Sequence, residues 1–269
     1  MKIIDTITEK SRKERICIFA EKALGKSTLA ASAPNNLFIR TEDSLNEIDA
    51  QSLELCLSYD QFMDQLKQVY KESHSFQSVT IDTCDWLQGL VYKKICQQNG
   101  VKAINDIPYA GGYKASLAEF NKIINALNII NIERDMRIII LCHSQIKQIK
   151  SPLTVDFDQY KLKLYDGNAE LIEEWVDAIG FLHTRMYINT EDKGFGNNVS
   201  KGVGGSERIV SFAKSAAYKS GNRYNITEDI DIPIENGYAA IMNAIEEGRK
   251  SLRSKKPPTP IEKNKSIAK

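Results

Sequence analysis

The residues with the clearest chemical potential are Ala20–Ser27, which read A-E-K-A-L-G-K-S. Apart from the first position they match a phosphate-binding loop: a glycine, four variable residues, Gly-Lys, then a hydroxyl residue. Such a loop suits a triphosphate because its successive backbone N–H groups form a positive concavity. Gly25 lets the backbone approach the ligand closely, and the Lys26 ammonium reaches the outer phosphates as a point charge. Ser27 offers a hydroxyl to magnesium. ATP with Mg2+ is therefore expected along Ala20, Glu21, Lys22, Ala23, Leu24, Gly25, Lys26, Ser27 and Thr28. Alanine in place of the first glycine is a departure from the pattern.

Three further positions fit the same chemistry. Asp82 ends the apolar run S-V-T-I-D, where a carboxylate at a strand tip can hold magnesium directly or through water. Glu42 follows L-F-I-R in T-E-D. It can orient and deprotonate an attacking water, or it and Asp43 can simply cap the next helix. His143, Ser144 and Gln145 follow M-R-I-I-I-L-C. Polar groups at the carboxyl end of a central strand lie where open α/β sheets bind ligands. Gln145 or His143 can touch the terminal phosphate, or be satisfied strand-end residues.

These residues need elements to hold them. Arg15–Phe19, Leu37–Ile39, Leu53–Leu57, Ser78–Ile81 and Met136–Cys142 read as strands. Helices are expected over Lys26–Ser32, stopped by Pro34, over Tyr59–Glu72 and over Trp86–Gln97. After a loop at Gly100–Gly112, Tyr113, Leu117, Phe120, Ile124 and Leu127 recur at helical spacing. Alternating strands and helices imply an α/β domain with a mainly parallel central sheet. The second half reads differently. Ile179–Ile188 and Arg208–Phe212 look like strands flanking a loop at Asn189–Gly205, a β-rich extension over about residues 177–224. Tyr238–Glu247 reads as a closing helix of a domain spanning residues 1–248. Residues 249–269 are basic and proline-bearing, and are expected to be a disordered tail.

Composition limits the alternatives. The 269 residues carry 36 Lys and Arg against 35 Asp and Glu, so overall charge does not announce a nucleic-acid partner. Cys17, Cys56, Cys84, Cys96 and Cys142 mostly sit in apolar runs and are expected to be reduced core thiols. The scattered histidines argue against zinc. Without a leader-like start or an apolar stretch of ~20 residues, the expectation is a cytoplasmic protein with no membrane contact.

The order of these signals resembles the RecA-type ATPase core: phosphate loop, strand–Glu, strand–Asp, strand–polar sensor. More closely, the chain resembles phage-encoded nucleotide-binding proteins of AAA type, some of which are RecA-core single-strand annealing recombinases. The resemblance rests on GKSTLAASAPNNLFIRTED, SVTIDT, DIPYAGGYK, LCHSQIK, YKLKLYDGNAELIEEWVDAIGF and GGSER…AAYKSGNRY, spanning roughly Ile16 to Tyr224. It implies a RecA-like P-loop core, ATP binding with slow hydrolysis, and a role in phage recombination or replication. It makes Glu42 the catalytic glutamate, Asp82 the magnesium-binding acid, and Gln145 or His143 the sensor. It also implies a homo-oligomer or filament, in which Arg208 and Lys214 would reach a neighbouring subunit's terminal phosphate. Arg40 departs from the resemblance, standing where relatives often have an acid.

Two expected loops, Gly100–Lys114 and Lys147–Lys163, interleave lysines with tyrosines, a pattern that suits single-stranded DNA. One carries Lys102, Tyr109, Tyr113 and Lys114. The other carries Lys147, Lys150, Tyr160, Lys161 and Lys163. Plain solvated loops are the alternative, since Asp106, Asp156 and Asp158 share the segments. An annealing protein, which can cooperate with a single-strand DNA-binding protein, a DNA-dependent motor or helicase loader, and a nucleotide switch without DNA all remain open.

Overall fold

A computed structural model describes residues 12–152, 155–192 and 198–254. The first half alternates strands and helices. These are β1 (Arg15–Ala20), α1 (Lys26–Ala31), β2 (Asn36–Arg40), β3 (Gln51–Ser52), α2 (Tyr59–Lys71), β4 (Ser78–Asp82), α3 (Cys84–Asn99) and α4 (Gly111–Glu133). The second half comprises β5 (Arg137–Ile149), β6 (Phe157–Leu162), α5 (Asp166–Trp175), β7 (Ala178–Asp192), β8 (Asn198–Ser211), β9 (Gly221–Asn222), β10 (Ile230–Asp231) and α6 (Gly237–Ser254).

The sheet order is β10-β8-β7-β1-β5-β4-β2-β3, with β6 on β5 and β9 on β7. Along the path from β3 to β7 the pairings are parallel, whereas β6 pairs antiparallel with the far half of β5, and β8, β9 and β10 add antiparallel to the β7 side. The expected mainly parallel α/β fold with a β-rich extension is thus observed.

Both sheet faces are covered, which explains the near-continuous apolar strands. Along β1, Cys17 and Phe19 enter one core with Ile138, Ile140 and Cys142, beneath Leu66, Leu87 and Phe120 of α2, α3 and α4. Ile16, Ile18 and Ala20 alternate to the opposite face, where Ile139 and Leu141 meet Leu29 of α1 and Tyr238, Ile241 and Ile245 of α6. All five cysteines are buried. Burial pushes the thiols of Cys17, Cys84 and Cys142 well up, so they are packing groups rather than nucleophiles. No helix among the described residues is long and apolar enough to cross a membrane.

Five boundaries differ from the sequence reading. The strand expected at Met136–Cys142 runs on to Ile149 and pairs with β6, so the expected Lys147–Lys163 loop is largely a hairpin. Leu53–Leu57 is not a strand. Its Leu53 and Cys56 N–H groups bond Phe38 and Arg40 of β2, a three-residue spacing that breaks the alternate ladder, and Leu57 is exposed. The Gly100–Gly112 loop contains two short 3-10 turns, and α4 starts at Gly111. The expected loop at Asn189–Gly205 is largely the ladder of a long hairpin whose register runs to Asp192 opposite Asn198; residues 193–197 lie outside the described residues. Its Gly/Asn/Lys composition hid a ladder sustained by backbone pairing. Finally, α6 continues to Ser254, because Arg249 bonds buried Glu14 at 2.8 Å and stacks on Tyr224. The expected tail thereby loses its first turn; residues 255–269 lie outside the described residues.

Candidate active site

The phosphate loop joins β1 to α1, between strands that end level with it. The register pairs Ala20 with His143, and Arg40 with Asp82 across β2–β4. The carboxyl ends of β1, β2 and β4 and the middle of β5 at His143 therefore converge on one edge, as ligand sites in open sheets do. A cleft of about 420 Å³ opens there, lined by Lys26, Ser27, Thr28, Glu42, Asp82 and His143 among others.

Ala20 explains how the imperfect motif survives. It is the last, fully buried residue of extended β1, so no left-handed backbone is needed there. Gly25, in contrast, has φ +82° and caps α1. Lys26 is buried, and its Nζ donates to the Glu21 carbonyl at 3.2 Å across the loop. Burial pushes the Lys26 ammonium pKa down, while Asp82, Asp85 and Glu42 oppose that shift.

Asp82 is fully buried. Its Oδ2 accepts from Ser27 Oγ and from Ser44 Oγ, each at 2.7 Å. Its Oδ1 is buried with no hydrogen-bond partner. A buried carboxylate oxygen left over beside a serine hydroxyl is a donor set of the kind magnesium takes. The residues present therefore fit a metal held by Ser27 and Asp82. The Asp82–Thr83 peptide is cis.

Glu42 accepts from Thr83 Oγ1 at 3.2 Å, and its backbone N–H donates to the Asp82 carbonyl at 3.2 Å. No helix begins immediately after it, so the capping alternative has no helix to serve. His143 Nδ1 lies 4.0 Å from Glu42 Oε2 and 3.0 Å from Asp85 Oδ2. The two expected sensors thus separate: His143 reaches the cleft, while Gln145 donates to the Leu162 and Leu164 carbonyls at 2.7 and 3.2 Å. Arg40 turns away, bonding the Leu53 carbonyl and lying 3.7 Å from Asp43.

Within the chain, the two residues expected to act in trans sit in different places. Arg208 lies over its own loop, where a Cβ added to Gly25 would approach its guanidinium closer than 3.0 Å, and its Nη2 donates to the Pro233 carbonyl at 3.0 Å. The physical reason is that β8 returns beside β7, next to β1 in the same sheet. Lys214 instead lines a different cleft with Glu170, Glu173 and Lys219.

The lysine–tyrosine segments are partly committed elsewhere. Lys147 and Lys161 face Asp166 at 2.7 and 3.8 Å, and Tyr160 stacks on Phe181 at 4.9 Å. Lys102, Tyr109 and Lys114 are exposed ahead of or at the start of α4, and Lys150 is exposed after β5. Tyr113 stacks on Tyr165 at 4.3 Å and lines a groove with Trp86, Tyr92, Gln145 and Lys163. Trp86, Gln145 and Lys163 also line the neighbouring hollow containing Glu42 and His143. Ser44, Asp85 and Trp86 were missed in the sequence. Asp85 reads as an ordinary acid in the first turn of α3, and nothing local shows its partner 58 positions away.

The family comparison agrees with this geometry. A family model described as an AAA domain matches residues 12–224. Comparison with curated proteins gives no match. The match spans most of the chain and contains every residue of the cleft, and the chain belongs to this AAA-domain family of P-loop NTPases.

Proposed function

We propose that the chain binds and hydrolyses ATP with magnesium, and uses that cycle on single-stranded DNA in recombination or replication, as its resemblance to RecA-core annealing proteins of phages suggests. The observation that carries the nucleotide half is the convergence of Lys26, Ser27, Asp82, Glu42 and His143 on one cleft. Ser27 and Asp82 would hold the magnesium, whose charge supplies neutralisation of the phosphate oxygens. Lys26 exchanges the Glu21 carbonyl for the outer phosphates. Glu42 takes a proton from water as the water oxygen bonds the terminal phosphorus. The bond from that phosphorus to the bridging oxygen breaks, and ADP leaves with inorganic phosphate. Thr83 keeps the accepting Glu42 carboxylate in place.

The DNA half rests on the groove beside that cleft. Trp86 is 54 % exposed, Tyr113 and Tyr165 are stacked next to it, and Lys163 is exposed at its edge. Rings for bases beside a cation for phosphates suit a single strand without sequence preference. Fluorescence anisotropy with single-stranded and duplex oligonucleotides, with and without ATP–Mg2+, tests this. Trp86→Ala is expected to weaken single-strand binding by about 1–3 kcal/mol, the usual stacking contribution per base. Lys163→Ala is expected to lower the salt slope by about 0.7. Equal binding by all three proteins would refute the groove, and no DNA binding in any nucleotide state would leave a nucleotide switch. A subunit-to-subunit filament on DNA is proposed with it.

A further inference from the structure

His143 enters the cleft in a fixed attitude, and one residue outside the expected machinery sets it. Asp85 Oδ1 accepts from the His143 backbone N–H at 3.1 Å, and both Asp85 oxygens face His143 Nδ1, at 3.2 and 3.0 Å. One carboxylate thereby clamps the main chain midway along β5, where its pairing passes from β1 to β6, and the ring attached to it. The Asp85 side chain is 7 % exposed and that of His143 15 % exposed, so water competes poorly for these bonds. Burial alone would push the Asp85 carboxyl up, but the His143 ring, the His143 backbone N–H and the Thr83 side chain outweigh it and hold the group ionised. A carboxylate accepts only, so the nitrogen facing it must carry the proton. Nε2 is then the ring nitrogen that Asp85 leaves free, on a residue that lines the cleft. Glu42, 4.0 Å away, is the only other carboxylate paired with this ring among the described residues.

We propose that Asp85 is a positioning residue for ATP hydrolysis, holding His143 with Nδ1 protonated beside Glu42. The proposal rests on the hydrolytic reading above. Asp85 does not line the nucleotide cleft, so it acts through His143 and not through the phosphates. The same division of labour, a buried carboxylate fixing an imidazole's tautomer and orientation, recurs in other hydrolytic sites.

Nitrogen-15 NMR of the full chain at a pH where histidine is neutral tests the arrangement directly, with the His143 signals assigned by their loss in His143→Gln. The expected result is the Nδ1–H tautomer in the unaltered protein and its loss in Asp85→Asn. A neutral Nε2–H ring in the unaltered protein overturns the proposal without any variant. Steady-state ATPase measurement supplies the second reading. Asp85→Asn is expected to lower kcat by tenfold or more with KM for ATP changed less than about twofold, since only a misplaced group is lost. His143→Gln is expected to do the same, and the double variant to be no slower than the worse single one. Losses that multiply, or a loss carried by KM, overturn the positioning role. An unaltered protein that binds ATP but never hydrolyses it overturns the ATPase reading itself. An active protein indifferent to Asp85→Asn overturns this proposal alone.

Discussion

Replacing Gly25 by alanine tests the link between the phosphate loop and Arg208. Two costs can be worked out from the structure. Gly25 has φ +82°, where an L-residue costs roughly 1–2 kcal/mol. The new Cβ would also meet the Arg208 guanidinium closer than 3.0 Å. The side chain must then swing away and give up its 3.0 Å bond to the Pro233 carbonyl, worth about 0.5–1.5 kcal/mol. Together these destabilise the fold by roughly 1.5–3.5 kcal/mol, or a fall of about 3–6 °C in Tm for a chain of this size. The assay is thermal unfolding followed by circular dichroism, with Arg208→Ala and the double variant completing a cycle. Once Arg208 is gone, Gly25→Ala is expected to cost only the backbone part, so the two single effects should exceed the double effect by about 0.5–1.5 kcal/mol. A Tm within about 1 °C of the unaltered protein, or strict additivity, would refute the cis placement of Arg208.

Two other outcomes follow from buried carboxylates. Asp82→Asn removes an anionic donor beside Ser27, so ATP affinity measured by calorimetry should no longer rise on adding magnesium; an undiminished magnesium effect would exclude Asp82 as a ligand. Asp177 is buried, and burial pushes its carboxyl up. Its bonds to Arg12 at 2.5 Å and to the Arg15 backbone N–H at 3.0 Å outweigh this and hold it below the usual range. A depressed folded pKa contributes stability above the unfolded value of about 3.9, lost as pH falls through the folded pKa. Asp177→Asn should therefore cost about 3 kcal/mol at pH 7, the lower end for a broken buried pair because Arg12 and Arg223 are partly exposed. Denaturant titrations should also show a shallower loss of stability below about pH 4; an unchanged acid limb would contradict the assignment.

Much of the cleft was legible because its residues announce themselves locally. Lys26, Ser27 and Asp82 stand at strand ends with the right neighbours, and period and strand length place the ends on one sheet edge. What stayed hidden depends on pairings between distant segments. Asp85 looks like a helix-start acid until β5 brings His143 beside it. Gln145 and His143 are equivalent as a pair in sequence, and only the β5–β6 hairpin separates them, by giving Gln145 the Leu162 carbonyl. Arg208 suggested a neighbour's site through the resemblance to filament-forming proteins, and sequence alone does not show that the antiparallel return of β8 brings it to its own loop. The lysine–tyrosine pattern could not reveal that Asp166 already answers Lys147 and Lys161.

Everything proposed for the cleft depends on Lys26 and its loop binding ATP–Mg2+. Isothermal titration calorimetry on the unaltered chain and on Lys26→Ala tests it most directly. One ATP site is expected in the unaltered protein, with affinity about 10–100-fold lower in the variant, the worth of a charged hydrogen bond of about 1.5–3 kcal/mol. Equal affinity in both proteins, or no ATP binding by the unaltered chain, would contradict it.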